Sequence, residues 1–280
     1  MNAILIINKS SGPTSRDVVN RVSKLFNTKK VGHTGTLDPM AKGVLVITIG
    51  KYTKLNDLLT STYKEYEVEM ILGYETDTLD ITGKTIKKSN VEVSDEKIKN
   101  IIYSFKGKYI QEVPKYSAVK VNGKKLYEYA REDKVVDLPK REVEIKDISN
   151  ININGRCIKF DCVVSKGTYI RSLIRDIGSK LETYAVMSGL TRTKQGKFSI
   201  DNAYTLEELE QGNYRPLRVE DALDNLHIIN LDEFTYKEVS NGVVKGYNIN
   251  EDIILFKYKN EEMALYKRDN NSKFRMYVKF

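Results

Sequence analysis

The chain has 280 residues, 40% of them hydrophobic and 30% charged, with 46 lysines and arginines against 38 aspartates and glutamates. The net charge of +8 and the pI of about 9.1 favour a polyanionic partner, because cationic side chains displace the counterions condensed on phosphates. Two cysteines argue against a disulfide framework, two histidines outside any cysteine cluster leave no basis for a zinc site, and no apolar run approaches the ~20 residues that cross a bilayer.

Residues 3–7 read as a buried strand. Thr14 is then predicted to cap a helix, with Asp17 completing a capping box, and Val18, Val19, Val22, Leu25 and Phe26 follow at helical spacing. A polar loop, 27–42, leads into the β-branched strand 44–49. Within it, Gly32-His33-Thr34-Gly35-Thr36-Leu37-Asp38-Pro39 combines two glycines with a proline that keeps Asp38 out of helical backbone. Chemistry tends to sit on such loops between rigid elements.

Residues 64–72 alternate as a strand. Ser94 is predicted to cap a helix carrying Ile98, Ile101, Ile102 and Phe105. Residues 106–146 hold eleven basic and seven acidic side chains interleaved with Tyr109, Tyr116, Tyr127 and Tyr129, a texture that suits an RNA-contacting insertion. A second alternating strand, 158–164, includes Cys162; Cys157, five positions earlier, falls on its opposite face. Thr168 is predicted to cap a helix with Ile170, Leu173, Ile174, Ile177 and Leu181 inward. Arg171 sits in its first turn, at the positive end of the helix dipole, and therefore calls for an acidic partner. Thr205 and Glu208 make a further capping box, closed by Gly212. Beyond about residue 228 the runs 253–258, 263–266 and 274–278 read as a small β-rich module.

The expected fold is α+β, with a mixed, mainly antiparallel sheet and flanking helices, divided into 1–228 and a module at 229–280. The basic surplus gathers in the first part: seven basic to two acidic residues in 1–43 and again in 165–198, against nine to eight in 231–280. That places an RNA-binding face on the main domain. Neither a Gly-x-x-x-x-Gly-Lys-Ser/Thr loop nor a Gly-x-Gly-x-x-Gly turn is present to cradle a nucleotide, so carboxylate, tyrosine and arginine chemistry without cofactor or metal is expected.

The run from Val31 through Asp38 to Leu45 closely resembles the catalytic loop of the TruB family, the tRNA pseudouridine-55 synthases. Further resemblances follow in order: Lys9 with Gly12-Pro-Thr-Ser15, Lys64-Glu-Tyr-Glu67, Thr76-Asp-Thr-Leu-Asp80, Pro114 to Lys120 with Leu126 to Arg131, Ser165 to Arg171, and Leu190-Thr-Arg-Thr193. They span roughly residues 3–225, and the tail is similar, more weakly, to the family's PUA-like RNA-binding domain. Ser10, Ser11, Arg16, Val113 and Glu182 depart from the family's usual residues.

The resemblance implies an isomerase that converts uridine 55 in the T-loop of tRNA to pseudouridine by flipping the base out, acting without a cofactor as a cytoplasmic monomer. Asp38 would be the catalytic aspartate, adding to the base, adding to the ribose or taking a ribose proton. Arg171 would pair with it. Tyr66 would stack on the target base and, as a catalytic residue, pass a proton at C5; His33 would enter the T-loop in the base's place, Tyr169 and Leu190 would line the uracil pocket, and Lys9 and Asp80 would complete the RNA-binding set. The alternatives are a non-catalytic tRNA-binding or tRNA-folding protein and a synthase working in a guide-RNA complex. The intact Asp38, Tyr66 and Arg171 set disfavours the first, and the short tail disfavours the second.

Overall fold

The apolar opening of the chain forms strand β1 (Ala3–Lys9), buried from Ala3 to Ile7. The computed structural model describes residues 1–60, 62–244 and 246–280. It divides into two compact units, the first made of Met1–Pro39, Gly43–Thr60 and Ile200–Phe280, the second of Met40–Lys42 and Ser61–Ser199.

In the first unit β1 is followed by helix α1 (Ser15–Leu25), β2 (Val31–His33) and β3 (Lys42–Ile49). The predicted capping box is present: Asp17 N–H donates to Thr14 Oγ1 at 3.1 Å, and Thr14 N–H donates to the Asp17 carboxylate at 2.8 Å. Val18, Val19 and Val22 are buried, but Leu25 is 40% exposed. Phe26 has already left the helix and meets the edge of Tyr214. The apolar face thus stops a turn earlier than its spacing suggests. The segment 27–42 is also not all loop, since β2 pairs with β3 and sets His33 opposite Ile47.

The second unit runs through β4 (Tyr63–Leu72), α2 (Asp95–Tyr103), β5 (Gly107–Glu112), α3 (Leu126–Arg131), β6 (Lys140–Asn154), β7 (Cys157–Ser165), α4 (Ile170–Lys180) and β8 (Ala185–Gln195). Its sheet has the order β8-β4-β7-β6-β5, with every pair antiparallel. Ile158, Phe160 and Cys162 on β7 are buried beside Met70, Val68 and Tyr66 on β4, while Cys157 is exposed, as strict alternation demands. Helix α4 covers β8, β4 and β5 with Leu173, Ile174 and Ile177. Ser94 caps α2 as predicted. Thr168 does not cap α4: the N-cap is Tyr169, and Thr168 Oγ1 lies 3.3 Å from Ser165 Oγ instead. Residues 107–112 and 140–145 are paired strands, and a short hairpin and α3 lie between them.

The chain then returns to the first unit. Leu217 exchanges backbone hydrogen bonds with Ile4, and Thr205 and Glu208 form the predicted box. The three predicted C-terminal strands exist as Ile253–Tyr258, Glu261–Arg268 and Phe274–Lys279. A fourth strand, Leu226–Asn230, and a helix, Glu233–Ser240, are additional. The fourth strand pairs parallel with Ile253–Tyr258, which makes this sheet mixed. Its core is Val239, Ile254, Phe256, Ala264, Tyr266 and Phe274. Tyr52 ties the module to residues 50–55 within the same unit, donating to the Glu262 carboxylate and meeting Phe280 edge-on.

Candidate active site

The eight candidate residues fall into two groups. Lys9, His33 and Asp38 belong to the first unit, and Tyr66, Asp80, Tyr169, Arg171 and Leu190 to the second.

In the first group, Asp38 is half-buried on irregular backbone, and both of its neighbours are pinned. Ser15 Oγ accepts the Leu37 N–H at 2.9 Å and donates to the Leu37 carbonyl at 3.1 Å. The Pro39 carbonyl accepts Lys9 Nζ at 3.1 Å and Gly12 N–H at 2.9 Å. Gly12 does this at a φ of +108°, a conformation open to glycine. Lys9 reads in sequence as a surface charge, yet it is 0% exposed and serves as an internal clamp on carbonyl oxygens. Before His33, a Cβ on Gly32 would come within 2.7 Å of Asn56 Nδ2, so a larger residue there would displace that side chain. The Gly-Pro-Thr-Ser element at 12–15 therefore holds the aspartate loop. Ser15→Ala would leave the buried Leu37 N–H without its acceptor, a cost of roughly 1–3 kcal/mol. A clear fall in the urea unfolding midpoint is expected; an unchanged midpoint would show that the loop does not depend on Ser15.

In the second group, Tyr66 on β4 stands opposite Arg192 on β8, and Val68 stands opposite Leu190. Opposed and alternate positions share a face, so Tyr66, Leu190 and Arg192 lie together. A bulge between Met187 and Gly189 makes this possible. Met187 and Leu190 are three apart and would point to opposite faces of a regular strand; the extra residue returns Leu190 to the face of Met187. Tyr66, Leu190 and Arg192 are all buried. Lys64, two residues before Tyr66, is pulled down to about 8 by burial and by the neighbouring charges of Arg192 and Lys166.

Arg171 is only 5% exposed. Its Nη1 donates to the Thr78 carbonyl at 3.1 Å and its Nη2 to the Tyr116 carbonyl at 3.0 Å. Two loops thus converge on one planar fork, and their carbonyl dipoles offset the unfavourable position of a cation in the first turn of α4. The Thr78 loop owes its shape to Asp80, whose Oδ1 accepts from Thr78 Oγ1, Thr82 N–H and Thr82 Oγ1, with Leu79 held at a φ of +64°. Leu79 and Ile81 exchange backbone bonds with Met187, which joins this loop to the strand bearing Leu190. Tyr169 immediately precedes α4, and the Arg141 guanidinium lies 5.6 Å from the centre of its ring. Ser15 and Arg192 lie within motifs read from the sequence but receive no role there, and Gln111 belongs to none of those motifs. Gln111 accepts the Tyr169 N–H and donates to the Tyr169 carbonyl from 58 residues away, with no local pattern to announce it.

A family model described as TruB family pseudouridylate synthase (N terminal domain) matches residues 23–170, and one described as tRNA pseudouridylate synthase B C-terminal domain matches residues 171–232. The chain is 43% identical to tRNA pseudouridine synthase B of Bacillus subtilis (strain 168) over 257 residues, 87% of this chain and 83% of that one. It is 40% identical to the protein of the same name from Clostridium tetani (strain Massachusetts / E88) over 273 residues, 96% and 93% of the two chains. Among solved structures, a chain of a Cbf5-Nop10-Gar1 complex is similar with a TM-score of 0.71 at 26% identity, covering 99% of this chain and 84% of that one. A chain of an H/ACA RNP bound to a substrate RNA containing 2′-deoxyuridine shares the fold, with a TM-score of 0.70 at 24% identity and the same coverage.

Proposed function

The chain belongs to the TruB family of pseudouridylate synthases, and from that premise we propose that it isomerises uridine 55 in the T-loop of tRNA, with Asp38 as the attacking carboxylate. It is a tRNA pseudouridine synthase. The observation that carries the finer reading is the pinning of Leu37 and Pro39 by Ser15, Lys9 and Gly12, which fixes the backbone on both sides of Asp38. Preorganisation of this kind is what a group needs to meet a reacting centre in one geometry.

The reaction breaks the C1′–N1 bond, turns the base and forms a C1′–C5 bond; C5 loses its hydrogen and N1 gains a proton. Atoms and electrons balance within the nucleotide, so no oxidant or reductant enters. The base must leave its stack to be reached, which an RNA loop permits at less cost than a duplex. Tyr66 and Leu190 offer the flipped uracil an aromatic and an apolar surface, Tyr169 a second ring, and Arg171 a planar cation. His33 and the module at 229–280, with its Tyr236–Tyr258 pair and Lys259 over Tyr258, are assigned to RNA contact. We assign the chain to the cytoplasm as a monomer. Free Cys157 and Cys162 fit a reducing compartment, and no helix among the described residues is long and apolar enough to cross a membrane.

The test is release of tritium from C5-labelled uridine in unmodified tRNA by the purified protein alone. Stoichiometric release from one uridine per tRNA is expected. No release with enzyme in excess would refute catalysis by the isolated chain, and release only with an added guide RNA would transfer the chain to the guide-dependent class.

A further inference from the structure

Gln111 occupies the penultimate position of β5 and is 0% exposed. Its Oε1 accepts the Tyr169 N–H at 2.8 Å, while its Nε2 donates to the Tyr169 carbonyl at 3.1 Å and to the Tyr109 hydroxyl. Both amide hydrogens and the amide oxygen are engaged. The orientation is dictated by chemistry, because exchanging O and N would set two donors against each other at Tyr169. Tyr169 is the N-cap of α4 and lacks a side-chain cap of its own. The glutamine therefore takes up, from a distant strand, the N–H of the N-cap residue itself, the part an N3 glutamate or glutamine plays in a capping box. The same seam continues one residue on. Ser172 Oγ donates to the Glu112 carbonyl at 2.8 Å, and Arg175 Nη1 to the Glu112 carboxylate at 3.1 Å. Beyond Glu112 the chain enters segment 113–139, which contains Tyr116, whose carbonyl receives Arg171.

We infer that Gln111 is a positioning residue for pseudouridine formation: it fixes the first turn of α4, and with it the Tyr169 ring and the Arg171 guanidinium, without touching RNA. This rests on the reading of Tyr169 and Arg171 as pocket residues. Arg171 reaches its two carbonyls at about 3 Å, near the optimum for such bonds. A drift of about an ångström at the helix start would break that geometry, a displacement able to cost on the order of a hundredfold in rate. A fully buried amide cannot add to RNA affinity directly, so its loss should appear in turnover and not in binding.

Single-turnover rates with enzyme in excess, and tRNA affinities, are to be measured for Gln111→Leu and Gln111→Glu. Gln111→Leu is expected to lower the rate at least about tenfold while the tRNA Kd stays within about twofold. Gln111→Glu places a carboxyl where burial favours its neutral form, which can accept from Tyr169 N–H and donate its one proton to the Tyr169 carbonyl. Around it stand Tyr109 on its own strand, Glu112 next to it and bonded by Arg175, Arg141 opposite on β6, and, beside Tyr109, Asp176 on α4 and Cys162 on β7. These groups are common to both proteins, so the ratio of the Gln111→Glu rate to the wild-type rate should rise as pH falls from about 8 to about 6. A Gln111→Leu rate within about twofold of wild type, or one that falls only in step with affinity, would overturn the inference. So would a Gln111→Glu ratio that ignores pH. Wild-type rates for Tyr169→Ala and Arg171→Lys would remove the underlying pocket reading instead.

Discussion

Asp38→Asn is expected to abolish turnover, by about ten-thousand-fold or more, and to leave tRNA affinity within about threefold. Asparagine matches aspartate in shape, and the loop on either side of Asp38 is pinned through the Leu37 peptide and the Pro39 carbonyl. Ser15 holds the Leu37 peptide, and Lys9 and Gly12 hold the Pro39 carbonyl. The substituted side chain should therefore occupy the same place. What disappears is the carboxylate itself. A neutral amide is neither basic nor nucleophilic, and addition to the base, addition to the ribose and removal of a ribose proton each require an ionised carboxylate. Affinity, in contrast, comes chiefly from phosphates held by basic side chains, which this change leaves intact. The check is single-turnover tritium release beside a filter-binding titration. Turnover near the wild-type value would end the catalytic assignment, and loss of binding in proportion to turnover would make Asp38 a structural residue.

What could be read from sequence follows from how far each signal reaches along the chain. The capping boxes at Thr14–Asp17 and Thr205–Glu208 are contacts between residues three apart, and they are present as predicted. Strands β4 and β7 show their alternation because one face of each is buried. The failures need a partner elsewhere in the chain. Thr168 has the chemistry of a cap, but the N-cap is Tyr169, whose N–H and carbonyl are both held by Gln111. Lys9 looks like surface charge until the carbonyl of Pro39, thirty residues on, takes its ammonium. The helix Glu233–Ser240 escapes notice because only Val239 is buried in it while Phe234 is 74% exposed, which leaves little apolar periodicity. A rule of strict alternation cannot foresee the bulge that brings Leu190 onto the face of Met187. The candidate site was legible through a resemblance that spans several motifs; Lys9, Gly12, Ser15 and Asp80 lie inside those motifs but their holding roles do not show there, and Gln111 lies outside all of them.

Arg171→Lys should lower turnover by about a hundredfold, the scale of loss when the reacting geometry is displaced by about an ångström. The guanidinium spans two carbonyls that belong to separate loops, with one nitrogen for each. An ammonium on a shorter stem is a point donor; it can approach Thr78 or Tyr116 but cannot serve both in one plane. It is also more strongly hydrated, so burying it where Arg171 is 5% exposed costs more. One loop would then lose its anchor. Release of the Thr78 loop would expose the cost of holding Leu79 at positive φ, which is sustained only while its surroundings over-determine it. Release of Tyr116 would loosen the segment between β5 and β6. Either loss disturbs the pocket without removing a phosphate contact, so the tRNA Kd should hold while the single-turnover rate falls. Because charge is conserved in this substitution, a fall in rate measures the geometry of the fork and not the presence of a cation. An unchanged rate would therefore remove Arg171 from the site and show that the two-loop clamp is dispensable for catalysis.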